Sequence, residues 1–201
     1  MTSKLLYYSV LVAVASLLFS CSPKIVATKF YEENEKVLDK IEITYKELSK
    51  DRPFAIAFTA KDFKTVSVEI YTDTLKYIYD FEVDEPRLAD TLTAYNLNAP
   101  KVIKLIGMMQ SIRSTWIKNL DYYVDGKKND VVFLSIKPVA LKAPLSYQKY
   151  YILAYFNQPQ QFDSKGRLLD KKQRKRLRKI NGEAFSRIND KVCYAVSGNF
   201  R

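Results

Sequence analysis

The chain has 201 residues, with 33 Lys and Arg against 22 Asp and Glu, a formal net charge of +11, two Cys and no His. Without His there is no Ser-His-Asp or Cys-His catalysis, no His-ligated zinc and no imidazole pH switch. The 15 Tyr, 11 Phe and only five Gly argue for a packed chain and against disorder.

Lys4 and the terminal amine open the chain with weak positive charge, and Leu5 to Phe19 follows without a charge. That run is short for a membrane-spanning helix, which needs about 20 residues. It suits the apolar region of a signal peptide, roughly 7–15 residues long. The run closes on Leu18-Phe19-Ser20-Cys21, a Leu three places before a Cys with a small residue between them at Ser20. These residues resemble the lipobox of a bacterial lipoprotein precursor. The resemblance implies a signal peptide over 1–20 and a mature chain whose first residue, Cys21, is lipidated. It also implies a membrane held through acyl chains. An uncleaved anchor helix and an ordinary secretory signal are the alternatives. No acidic run follows Cys21, which favours the periplasmic face of the outer membrane.

Residues 21–28 read as a tether and 29–201 as a single domain, within the usual size of about 100–200 residues. Lys29 to Lys50 predicts a helix: Phe30, Asn34, Val37, Ile41, Tyr45 and Leu48 share a face. Ile41 to Tyr45 also alternates, so a strand competes there. Arg52-Pro53 ends the element. Three alternating runs follow, over 54–58, 66–70 and 75–83, with Thr72-Asp73-Thr74 as a turn; they predict an antiparallel meander. Residues 87–98 fit a short helix. Pro100 then starts a longer one, with Val102, Leu105, Ile106, Met109, Ile112, Trp116, Ile117 and Leu120 as its apolar stripe.

Asp121 to Asp125 fits a strand and Asp125 to Asp130 a turn. A calcium loop starting at Asp121 fails, because Tyr123 and Val132 occupy ligand positions. Val131 to Ile136 and Tyr150 to Phe156 predict strands, the second apolar on both faces and therefore central. Phe162 to Leu169 has hairpin character around Gly166. A charged helix is expected from about Asp170 to Ile188. Val192 to Val196 closes the chain as a strand, with Cys193 facing away from Val192, Tyr194 and Val196. With Cys21 assigned to lipid, Cys193 reads as a small buried hydrophobe. The fold class is α+β: an antiparallel sheet of about six to seven strands, with two or three helices mainly on one face.

Ser146-Tyr147-Gln148-Lys149 matches S-x-x-K and Ser197-Gly198-Asn199 matches S-x-N, but the K-T-G element of that enzyme class is missing. There is no phosphate-binding glycine loop. No catalytic residue, metal site or cofactor is assigned. The strongest charge feature is the cluster Lys171, Lys172, Arg174, Lys175, Arg176, Arg178 and Lys179. Its bland reading is a solvated helix face; its functional reading is contact with an anionic surface. Lipid headgroups and phosphate polymers both attract such charge, and an exported lipoprotein meets the first, so nucleic acid is not expected. The reading is a non-enzymatic envelope lipoprotein binding a protein partner or an anionic envelope component. The alternatives are a periplasmic small-ligand carrier with an aromatic pocket lined by Tyr of 75–83 and 150–156, and a hydrolase.

Overall fold

The computed structural model describes residues 23–124, 127–138 and 148–198. The first element among the described residues, α1, is an α-helix over Pro23–Ser49. It starts six residues before the expected Lys29, so most of the expected tether is helical. Pro23 suits a first helical position, no glycine interrupts the next two turns, and Ala27 is fully buried. The inward positions Ala27, Tyr31, Leu38, Ile41, Tyr45 and Leu48 keep three-, four- and seven-residue spacing. That spacing, with the Glu42–Lys46 ion pair on the outside, resolves Ile41 to Tyr45 as helix. Pro53 disfavours helical backbone at Arg52 and ends it.

The meander forms as its alternation predicts: β1 Phe54–Phe58, β2 Thr65–Tyr71 and β3 Lys76–Glu82. Phe54 pairs with Ile70, Ile56 with Val68 and Val68 with Tyr79. Helix α2 spans Pro86–Ala94 and begins on its proline. Helix α3 spans Ala99–Ser111; the Asn98 side chain accepts from the Lys101 N–H at 3.1 Å and caps it.

Here the structure corrects the sequence reading. The long helix expected to run to Leu120 stops at Ser111, Arg113 takes a left-handed φ of 55°, and β4 occupies Trp116–Val124. Trp116, Ile117 and Leu120 satisfy the helical period by coincidence. Placed as a strand, this segment is hydrogen-bonded on both sides, pairing Ile117 with Ile56 of β1 and with Leu134. The Thr115 N–H donates to the Ser135 carbonyl at 2.7 Å to start the ladder. Two ladders outweigh a weak local helix preference, since strand preference follows cross-strand packing.

Strands β5 Lys127–Pro138, β6 Tyr150–Phe156 and β10 Val192–Ser197 complete the centre. Three two-residue strands lie between β6 and β10: β7 Lys179–Ile180, β8 Glu183–Ala184 and β9 Ser186–Arg187. The main sheet has eight strands in the order β3-β2-β1-β4-β5-β6-β10-β9, slightly more than expected, while β7 and β8 form a separate ribbon. One row of partners crosses it: Tyr79, Val68, Ile56, Ile117, Leu134, Leu153, Tyr194.

That row faces the three helices, whose inward residues share one core with it. The fold is therefore α+β, an antiparallel sheet with its helices on one face. The other face carries Trp116, Tyr122, Val131, Phe133, Ile152, Ala154, Phe156, Cys193 and Ala195 in a second core. Leu168 and Phe185, both fully buried, cover it from the excursion between β6 and β10. Strand β6 is thus buried on both sides, as its apolar run predicts.

The charged helix expected over 170–188 does not form. Turns, bends and the small strands β7 to β9 replace it. Asn181 and Gly182 have φ of 48° and 83°, the geometry of an Asn-Gly hairpin turn. Phe185 is drawn onto the sheet face, where it lies 5.7 Å from the Phe133 ring. Burying such a ring contributes about 1.5–3 kcal/mol, more than helix propensity recovers over the same residues.

Candidate functional site

Five of the seven clustered cations, Lys171, Lys172, Arg174, Lys175 and Arg176, sit on a loop closed at its neck, and Arg178 and Lys179 follow it. Leu169 and Leu177 form an antiparallel bridge, and the Asp170 N–H donates to the Arg176 carbonyl at 2.8 Å. One step below, the Arg178 N–H donates to the Leu168 carbonyl at 2.9 Å and the Leu168 N–H to the Phe185 carbonyl at 2.7 Å. Buried Leu168 is therefore the peg that fastens the loop to the second core. Inside the loop, the Asp170 carboxylate accepts from the Lys172 N–H at 3.0 Å. The local order comes from main-chain bonds, which leave the side chains free to face outward.

The seven cations divide by role. Arg178 is half-buried; its guanidinium lies 4.5 Å over the Tyr122 ring and 5.8 Å over Phe156 and donates to Gln160 at 3.3 Å. Burial lowers its pKa, yet a guanidinium remains charged throughout the ordinary range. It therefore acts as a brace between loop and sheet. Lys171 is half-buried and donates to Gln158 at 3.2 Å. Lys172, Arg174, Lys175, Arg176 and Lys179 are exposed. Among the described residues, none of the seven side-chain cationic groups forms an ion pair with a carboxylate, although eight other ion pairs do form. Concentrated, unneutralised charge of this kind attracts a polyanion.

The other sequence candidates fare differently. Cys21 and Ser146 lie outside the described residues. The Ser197 hydroxyl donates to the Glu183 carboxylate at 3.1 Å. Asp121 pairs with Lys128 at 2.9 Å across the β4–β5 hairpin. Cys193 is fully buried on the face opposite Val192, as its alternation predicts, and burial pushes its thiol up to about 12. A thiol so held is a poor nucleophile.

The tyrosines expected to line a ligand pocket are mostly engaged elsewhere. Tyr151 and Tyr155 belong to the helix-side core, and the Tyr79 hydroxyl lies 2.6 Å from that of Tyr95. An apolar cleft of about 470 Å³ does exist, walled by Phe30, Phe58, Phe63, Ile112, Ile136 and Tyr150, with Arg113 and Gln148 as polar groups. Only Tyr150 comes from the strands named in the sequence reading.

A second groove, about 570 Å³, runs beside α1 past Tyr31, Asp39, Glu42 and Tyr155, and the sequence reading did not single it out. The Tyr31 hydroxyl donates to Glu35 at 3.3 Å and accepts from the Asn189 amide at 3.1 Å. The Asp39 pKa is raised, first by burial and then by Glu35 and Glu42. The signal was present in the acids at 35, 39 and 42, whose spacing puts them on one helix face. Among the described residues no group of three or more His, Cys, Asp or Glu could hold a metal ion.

The candidate site is therefore the exposed part of the basic loop. No protein-family model matches this chain, and comparisons with curated proteins and with solved structures find no match to it either.

Proposed function

We propose that this protein is a membrane-anchored envelope lipoprotein, without enzymatic activity, whose domain binds an anionic envelope component through the loop carrying Lys172, Arg174, Lys175 and Arg176, together with Lys179 of β7. The carrying observation is that these five exposed cations, four on one pinned loop and Lys179 just beyond its neck, form no ion pair with a carboxylate among the described residues. The lipobox-like Leu18 to Cys21 supports the address: the periplasmic face of the outer membrane, held by acyl chains on Cys21. Several chains hold firmly where one holds weakly, because each buried CH₂ contributes about 0.8 kcal/mol. Among the described residues no helix is long and apolar enough to cross a membrane. Each loop cation near an anionic bilayer adds about 1 kcal/mol.

The two halves of the proposal have separate tests. Cys21→Ala should abolish acyl labelling and release the protein from membranes; unchanged labelling removes the lipoprotein assignment. The Cys21→Ala chain should still bind anionic vesicles at low salt, and failure to do so removes the role of the loop.

A second reading is favoured by the cleft walled by Phe30, Phe58 and Phe63. Its size and apolar lining suit a small ligand, so specific retention of an apolar molecule there would favour a carrier.

A further inference from the structure

The sheet has one short edge and one long one. Strand β9, at one end, has two residues; β3, at the other, has seven. Edge strands are commonly blunted by proline, by a bulge or by a cover. Strand β3 contains no proline and pairs with β2 from Thr65–Glu82 to Tyr71–Lys76 without a register shift. Lys76, Ile78, Asp80 and Glu82 are exposed, Ile78 to 53%.

The hydrogen bonds at its two ends fix which groups point outward. The Thr72 N–H donates to the Leu75 carbonyl and the Val83 N–H to the Lys64 carbonyl, each at 2.9 Å. Bonded and non-bonded pairs alternate along an antiparallel ladder. Tyr77, Tyr79 and Phe81 therefore bond back to β2, while Lys76, Ile78 and Asp80 direct their N–H and C=O groups away from the sheet. Those of Glu82 are taken by Glu85, whose carboxylate accepts from the Glu82 N–H at 3.2 Å and whose N–H donates to the Glu82 carbonyl at 3.0 Å. The same four side chains stand on the face opposite the helices, since Tyr79 belongs to the helix-facing row.

The order of residues then selects an occupant. Leu75-Lys76-Tyr77-Ile78-Tyr79-Asp80-Phe81 reads, by chemical type, almost the same in both directions, with its two charges of opposite sign. We propose that β3 pairs antiparallel with β3 of a second copy of this chain, about a twofold axis at Ile78, joining two sheets edge to edge. Ile78 then meets Ile78 of the second copy, and Lys76 meets Asp80 twice. On the helix side Tyr77 meets Tyr79, and Leu75 meets Phe81. Between residues 76 and 80 about six main-chain hydrogen bonds form, two for each bonded pair. An axis at Lys76 or at Asp80 would instead set like charges directly opposite, which is destabilising. Like residues meeting across a twofold axis is what an isologous dimer requires.

The test uses the full chain in mild detergent, with Cys21→Ser so that buried Cys193 is the only native thiol. Bonded partners have Cα atoms about 5.5 Å apart, within reach of a disulfide. Ile78→Cys should crosslink under mild oxidation to a species of twice the 23.3 kDa chain mass. Ile43→Cys, on α1 and equally exposed at 55%, should not. In sedimentation equilibrium Lys76→Glu should weaken the dimer by about tenfold, and Lys76→Glu with Asp80→Lys should restore it. Crosslinking of the Ile78→Cys chain no greater than that of the Ile43→Cys chain, an adduct of another mass, or no rescue by the double exchange would each overturn the proposal.

Discussion

Replacing Lys172, Arg174, Lys175 and Arg176 with Gln removes four exposed charges from the loop while leaving its neck intact. None of the four is paired with a carboxylate among the described residues, so no buried partner is orphaned. The bonds that close the loop, Asp170 N–H to Arg176 carbonyl and the Leu169–Leu177 bridge, are main-chain and survive. If all four cations reached an anionic bilayer together, the loss would be about 4 kcal/mol, at about 1 kcal/mol each. A closed loop presents its side chains in several directions, so about half that is the working figure. A loss of about 2 kcal/mol corresponds to about a thirtyfold weaker association.

The assay is co-sedimentation of the Cys21→Ala chain with vesicles of phosphatidylglycerol in phosphatidylethanolamine, titrated at low salt and again at physiological ionic strength. Wild-type binding should fall as salt shortens the Debye length to about 8 Å; the Gln variant should bind weakly and depend less on salt. Equal binding by the two chains, with the same salt dependence, would refute the reasoning.

Arg178 should behave in the opposite way from its neighbours. Arg178→Ala uncovers the Tyr122 and Phe156 rings and the Gln160 side-chain oxygen, so denaturant melts should show a loss of about 1–2 kcal/mol with vesicle affinity nearly unchanged. Cys193 should resist thiol reagents in the native state at pH 8 and label on unfolding. Its pKa is raised by burial from 9.0 to about 12, so between those values the unfolded thiol loses its proton while the native one keeps it. Stability should therefore decline as pH rises through that window, and Cys193→Ala should flatten the decline in urea titrations from about pH 9 to about pH 11.

Alternation within short segments identifies β1 to β3 and β10, because burial of one strand face imposes a period of two, while continuous apolar runs identify β5 and β6. Pro100 marks the start of the longer helix through its fixed φ, within one residue of the observed Ala99. The burial of Cys193 on the second face follows from its alternation with Val192 and Tyr194, which take the helix face. The cation cluster is legible as composition, but its shape is not. The Asn181-Gly182 pair was the local sign that 170–188 could not remain one helix, since both residues favour the positive φ of a hairpin turn.

Composition and pattern alone therefore determine the class: α+β, without imidazole chemistry, rich in aromatics, basic, and opening on a lipobox-like segment. Tertiary structure decides what local pattern leaves degenerate. Trp116, Ile117 and Leu120 suit a helix and a strand equally, and only partners on both sides, β1 and β5, make them a strand. The 157–191 excursion covers the second sheet face because Leu168 and Phe185 bury there, which turns the cation cluster from a helix face into a pinned loop followed by one bracing arginine. Strand order likewise emerges only from long-range pairing, and with it the placing of the seven-residue strand β3 at an edge among the described residues. The physical reason is the same in each case. Local preferences differ by tenths of a kcal/mol per residue, whereas burial of a single large side chain contributes several times that.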